Sequence, residues 1–185
     1  MVNANLDAGY PVLFGITGDG GHAIVGDGYG YNTATHYHHL NMGWSGSDNV
    51  WYNLPTICAD GSIFTSVYKA VYNVYVTGSG EIISGRVLDG QANPVNGATV
   101  TATRSGGGTY TATTNAKGIY ALAKVPDAST YTVAVTKSGY TFASKQAVTA
   151  TSTDDSTTTG NVWGLDFADT SAVRTHAPAY LLLLQ

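Results

Sequence analysis

A mainly β protein made of two small units is what this sequence predicts, and three observations carry the prediction. Glycine (23) and tyrosine (13) are abundant while Lys and Arg together number 8, a composition that favours twisted antiparallel sheet and tight turns over helices. Apolar and polar residues alternate with a period near two along most of the chain. Clusters of Gly, Asn, Asp and Pro break that alternation at short intervals, as turns between strands do.

Taken in order, PVLFGI, HAIVGDGY, HYHHLNMGW and VWYNL read as successive strands, each bounded by Gly, Asp or Asn, and SVYKAVYNVYV closes a first unit over 1–76. TGSG, Thr77–Gly80, supplies a short flexible link. A second unit over 81–168 is more regular: EIISGRVLD, ATVTATR, YTATT, GIYALAKV, TYTVAVTK, KQAVTAT and VWGLDFA are separated by DGQANPVNG, SGGG, NAKG, PDAS and KSG. Even punctuation of short strands points to a β-sandwich rather than to βαβ units. TATSTDDSTTTGN is polar and low in complexity and reads as a mobile surface loop. The tail, 169–185, ends in YLLLLQ, far short of the roughly 20 apolar residues that span a bilayer.

Charge and cysteine content exclude several function classes. The formal charge is −4, and only 11% of residues are charged. Nucleic acids and anionic membranes both demand a basic face, so neither is an expected partner. The first basic residue is Lys69, preceded by Asp7, Asp19, Asp27, Asp48 and Asp60, which rules out a basic groove in the first unit. Cys58 is single and forms no internal disulfide. The first residues lack the basic region and apolar core of a signal peptide, so the chain is expected to start at an internal point of a longer protein or in the cytoplasm.

The chemistry concentrates in GGHAIVGDGY and LNMGWSG, where His22 follows a glycine pair and Asn41 lies on the next strand. An imidazole can take a thiol's proton and later return it to a leaving amine. It must first be fixed in one tautomer, and a side-chain amide can do that by accepting from the other ring nitrogen. His22 and Asn41 are of the residue types that these two tasks need.

From about Leu6 to Val76 the first unit resembles the C-terminal half of the streptopain family, secreted bacterial cysteine peptidases with a papain-like α+β fold. Four pieces stand in the family's order: LDAGYPVLFGI, GGHAIVGDGY, LNMGWSG and VWYNL. The resemblance implies an antiparallel β half of a papain-like catalytic domain, His22 as the catalytic histidine, Asn41 as its partner, and an active-site wall of Gly21, Met42, Gly43 and Trp44. Met42 stands where the family has tryptophan and Ser45 where it has glycine. The family's cysteine lies upstream of the histidine, and no residue before His22 is Cys or Ser. Cys58 lies downstream in LPTICADGS, a loop context with no helix N-terminus to activate it, and reads as a small apolar filler.

The second unit resembles the carboxypeptidase regulatory-like domain, a prealbumin-like sandwich of the seven-stranded type. The carriers are ISGRVLDGQANPVNGATVTAT, TTNAKGIYALAKVP and YTVAVTKSGYTF. Gly97 and Gly118 fall at turns that favour positive φ, and Val87, Val100, Tyr120, Val133 and Val135 would fill the core between sheets. EIISGRVLD has no lysine, so the internal isopeptide bond of some relatives is not expected. Tyr110, Tyr131, Tyr140 and Trp163 do not by themselves amount to a carbohydrate site, and a spacer or adhesion role is the default.

Other residues take simpler readings. His36 and His38 share a strand face and could begin a metal site, but no acidic or cysteine ligand stands at a tight spacing, so solvated or aromatic-stacked histidines are expected. Asp27 reads as a turn former, and Asp154 with Asp155 cannot alone supply the six to eight oxygens of a calcium cage. The expected function is therefore a fragment of a secreted or cell-surface cysteine endopeptidase acting on polypeptide, without cofactor and inactive alone for want of its nucleophile. The half-domain is also expected to self-associate through the open face near His22 and Trp44, where the missing half would pack. The alternative is a non-catalytic surface or structural β protein.

Overall fold

The computed structural model describes residues 2–171, so the expected YLLLLQ tail lies outside the described residues. A short helix α1 (Asn3–Asp7) precedes six strands: β1 (Val12–Gly18), β2 (Gly21–Asn32), β3 (Thr35–Asn41), β4 (Trp51–Tyr52), β5 (Ile57–Ala59) and β6 (Ser62–Val71). They form one sheet in the order β4-β3-β2-β1-β6-β5, antiparallel throughout. Every strand contributes to a single cluster, with Phe14, Ile16, Ile24, Leu40, Tyr52, Ile57 and Phe64 among its members. One core shared by both edge strands requires the sheet to curl, as twisted strands do.

The second unit holds β7 (Glu81–Leu88), β8 (Thr99–Arg104), β9 (Thr109–Thr113), β10 (Ile119–Val125), β11 (Thr130–Thr136), β12 (Lys145–Val148) and β13 (Phe167–Ala168). Sheets of three strands (β10-β7-β13) and four strands (β12-β11-β8-β9) face each other. Val87, Val100, Tyr120, Val133 and Val135 are all buried between them, as period-two alternation requires. Gly97 and Gly118 have φ of 69° and 71°. At Gly118 a side chain would also strike the Val87 carbonyl, 2.5 Å from an ideal Cβ. VWGLDFA forms only the two-residue β13, and this pairs with β7 in parallel.

Polar side chains bind the two units together. Asn73 Nδ2 donates to Glu81 Oε2 at 3.0 Å, and Ser152 donates to the same carboxylate from its backbone N–H (2.7 Å) and its Oγ (2.6 Å). Asn161 Nδ2 donates to Asn5 Oδ1 and Asn73 Oδ1 at 2.9 and 3.0 Å, while Asn161 Oδ1 accepts from the Ile82 N–H. Asn5 and Glu81 are buried, and buried polar groups so fully partnered fix one arrangement. The link Thr77–Gly80 is accordingly held close: an ideal Cβ on Gly80 would lie 2.7 Å from the Lys124 carbonyl carbon. The TATSTDDSTTTGN segment is likewise tied down rather than free. The Ser156 carbonyl accepts from Ala70 N–H at 2.8 Å, and Asp155 pairs with Lys69 at 2.8 Å.

Candidate functional site

His22 sits at the start of β2 opposite Ile16 of β1, on the inner side of the curled sheet. Its ring stacks on Trp44 with centroids 4.9 Å apart and planes 22° apart, and Phe64 lies 6.3 Å away on the same side. Nε2 is 2.8 Å from the Met42 carbonyl. A carbonyl only accepts, so Nε2 carries the proton and Nδ1 keeps its lone pair. Among the described residues Nδ1 has no hydrogen-bond partner.

The loop after β3 sets that carbonyl. Met42 is fully buried, and its N–H donates to Asn49 Oδ1 at 2.8 Å. Gly43, Ser45 and Gly46 adopt φ of 78°, 54° and 96°, so the chain turns back at once and Trp44 pairs with Ser47 in a bridge. Asn41 faces away from His22: it is exposed between buried Leu40 and Met42, and its Oδ1 accepts from Gly43 N–H at 2.9 Å. Orientation of the ring therefore falls to the Met42 backbone, and Asn41 braces the turn that presents it. Gly21 is exposed at the head of β2 with open space where a side chain would stand.

A cleft of about 470 Å³ runs along β1, β2 and β6, lined by Leu13, Gly15, Ala23, Lys69 and Asp155 among others. Leu13 and Ala23 are exposed where Phe14 and Ile24 are buried, so the cleft lies on the outer side of the sheet. His22 is itself among the lining residues, at the strand position where its ring turns to stack on Trp44.

Cys58 requires a correction. It lies on β5, not in a loop, and it is exposed. Ile57 and Ala59 point into the core, so strand alternation turns Cys58 outward, opposite Ile63, and the thiol is on the other side of the sheet from the imidazole. Asp27 is also placed differently from its expected turn. It is the extra residue of a bulge in β2, where pairing with β3 slips between Gly26 and Gly28, and its carboxylate meets His39 Nδ1 at 2.6 Å.

His36 and His38 do converge, with ring centroids 4.4 Å apart, but the Asn3 side chain bridges them. Asn3 Oδ1 is 3.0 Å from His38 Nε2, and Asn3 Nδ2 is 3.2 Å from His36 Nε2. Burial, and then the neighbouring His36, push the His38 ring down to about 4. His36 stacks on Tyr31 at 4.7 Å. No three His, Cys, Asp or Glu side chains cluster as metal ligands among the described residues.

Sequence reasoning missed the Met42 carbonyl and Phe64. The first is a backbone atom and has no residue-type signature. The second could have been found by extending the alternation of β6 back to Ser62.

The chain is similar to several known proteins. A stretch of 66 residues, 36% of the chain, is 46% identical to a chitinase, ChiA, of Flavobacterium johnsoniae, and the chain spans 4% of that protein's length. Among solved structures, the C-terminal fragment of the pilus adhesin SpaC from Lactobacillus rhamnosus GG aligns over 88% of this chain and 89% of its own, at 12% identity and a TM-score of 0.35. No helix among the described residues is long and apolar enough to cross a membrane. Residues 1–52 match the Peptidase C10 family, the streptopain family, and residues 82–162 match the carboxypeptidase regulatory-like domain, in the order that the sequence motifs imply.

Proposed function

We propose that the first unit supplies the histidine side of a streptopain-type cysteine peptidase site and that the sandwich is its accessory module. The observation that carries this reading is the His22 ring. It is clamped on Trp44 and hydrogen-bonded through Nε2 to the Met42 carbonyl, which leaves Nδ1 free as a base. In the proposed reaction Nδ1 takes the proton of a cysteine thiol, and the thiolate attacks the peptide carbonyl carbon. The imidazolium then gives that proton to the leaving amine as the C–N bond breaks. Asn41 contributes through the Gly43 turn. The thiol must come from outside the described residues, because Cys58 faces the wrong side. On this reading the chain works as part of a larger secreted or cell-surface peptidase, and the open side near His22 and Trp44 is where the cysteine-bearing half docks or, without it, where two copies associate.

The test is complementation. The chain alone should leave casein intact, and adding the helical, cysteine-bearing half of a streptopain-family peptidase should restore cleavage. In the restored enzyme His22→Ala should lower turnover by at least about 10²-fold, as loss of a proton-transfer partner does. Restored cleavage with unchanged turnover in that variant would remove His22 from the mechanism.

A further inference from the structure

A second cleft, of about 1050 Å³, opens between the two units. The far half of β2 and helix α1 form one wall; β7 and the segment leading into β13 form the other. It lies at the opposite end of β2 from His22, so it is separate from the proposed peptidase site. Its volume is at the upper end of the roughly 300–1,000 Å³ usual for small-molecule sites, which themselves favour domain boundaries.

Two large rings stand open in this cleft, Tyr31 at 56% and Trp163 at 42% exposure. They come from different units, and their neighbours hold them in place. Tyr31 stacks on His36 with planes 14° apart, His36 lies within 7° of parallel to Trp163 at 6.4 Å, and Tyr29 meets Trp163 edge-on at 6.1 Å. Rings that are fixed yet hydrated offer apolar area to a ligand at little cost in side-chain entropy.

The polar lining is balanced in charge, Asp7 and Asp166 against Arg86 and Lys117. Asp7 is occupied within the protein, accepting from Tyr29 Oη at 2.7 Å and Ser84 Oγ at 2.8 Å. Asp166 uses Oδ1 for the Arg86 backbone N–H at 2.7 Å, and both residues line the cleft with Oδ2 and the guanidinium unpartnered among the described residues. Such a lining has no net field to draw a polyanion or a polycation. A purely apolar ligand would have to desolvate these four charged side chains without giving them partners. A neutral molecule that alternates C–H faces with hydroxyls suits both the rings and the forks. We propose that this inter-unit cleft binds a neutral oligosaccharide, with Tyr31 and Trp163 as stacking platforms and Arg86, Lys117 and Asp166 as hydroxyl partners.

The experiment is calorimetric titration of the full chain with cellohexaose, chitohexaose and xylohexaose, and with ribonuclease B as a carrier of protein-linked high-mannose glycan. The expected result is binding of at least one probe with Kd of about 1 mM or tighter. Trp163→Ala and Tyr31→Ala should each weaken it by roughly tenfold, the scale of one lost aromatic stack, while Tyr140→Ala on the sandwich should leave it unchanged. A free hexasaccharide as the best ligand assigns the cleft to polysaccharide, and ribonuclease B as the best ligand assigns it to glycoprotein. Absence of binding by all four probes at concentrations up to about 10 mM, or binding unmoved by either ring variant, overturns the proposal.

Discussion

Acidification should destabilise this protein through one buried histidine. His38 is 8% exposed on β3. Its Nε2–H donates to Asn3 Oδ1, while its Nδ1 has no partner among the described residues. Protonation would place a charge in a desolvated site beside a second imidazole and would create an N–H with nothing to receive it. In the unfolded chain a histidine takes its proton near 6.5; in the folded protein burial and the neighbouring His36 hold His38 down to about 4. A base with a depressed folded value leaves stability untouched above pH 6.5. Stability is lost as pH falls from there to about 4, because only the unfolded chain binds the proton, and the loss then levels off. At 1.36 kcal/mol per pH unit the loss comes to about 3 kcal/mol, a large part of the 5–15 kcal/mol typical of a domain. His36, also lowered by burial, acts in the same direction. Asp7, raised by burial, acts in the opposite one, since its contribution is present at low pH and fades as pH rises through its folded value. Urea unfolding at pH 7.5, 6.0, 5.0 and 4.0, for the wild type and His38→Gln, measures the effect. The wild type should lose about 3 kcal/mol more than the variant across that range. Parallel pH profiles would refute the assignment of a neutral buried imidazole.

Further outcomes follow from other sites. Glu81→Ala strands the Asn73 amide and the Ser152 N–H and Oγ in a partly buried position, and should cost about 2 kcal/mol in chemical denaturation. A cost below about 0.5 kcal/mol would mean that water replaces the carboxylate. Ser45→Gly relieves a side chain at φ 54° and should raise stability by up to about 1 kcal/mol; a decrease would show that the Ser45 side chain makes a contact worth more than the strain. Gly85→Ala would bring a Cβ to 2.4 Å from the Leu165 carbonyl, displacing the segment that carries Trp163, and a lowered Tm reports it. Cys58 should react stoichiometrically with Ellman's reagent in the native state, and protection until denaturation would place it inward, against its exposed position on β5.

Much of this architecture was legible because strand alternation is local. HAIVGDGY shows its apolar set directly, and the sandwich core at Val87, Val100, Tyr120, Val133 and Val135 follows from parity alone; SVYKAVYNVYV is strand only as far as Val71, and the strand begins earlier, at Ser62. The short elements were not legible. NANLD carries no capping box, and α1 forms with no side-chain cap; β5 is three residues hidden in ICA, yet it decides that Cys58 points outward. His22 was readable from its motif. Its orienting partner was not, because the choice between the Asn41 amide and the Met42 carbonyl rests on backbone torsions at Gly43 and Ser45. The cleft between the units escaped for a different reason: Tyr31 and Trp163 lie far apart in the chain, and no periodicity relates them.

The amide and carboxylate cluster of Asn5, Asn73, Glu81 and Asn161 changes what the chain's modular appearance means for handling it. Asn5 belongs to the first helix and Asn161 to the last part of the sandwich, so the joint is closed by residues from nearly opposite ends of the described chain. Cutting at the compositional boundary near Thr77 would open the joint to water and lose these mutual hydrogen bonds on both fragments. The chain should therefore melt in one calorimetric transition, with a van't Hoff enthalpy equal to the measured one, and each unit alone should be less stable than the intact pair.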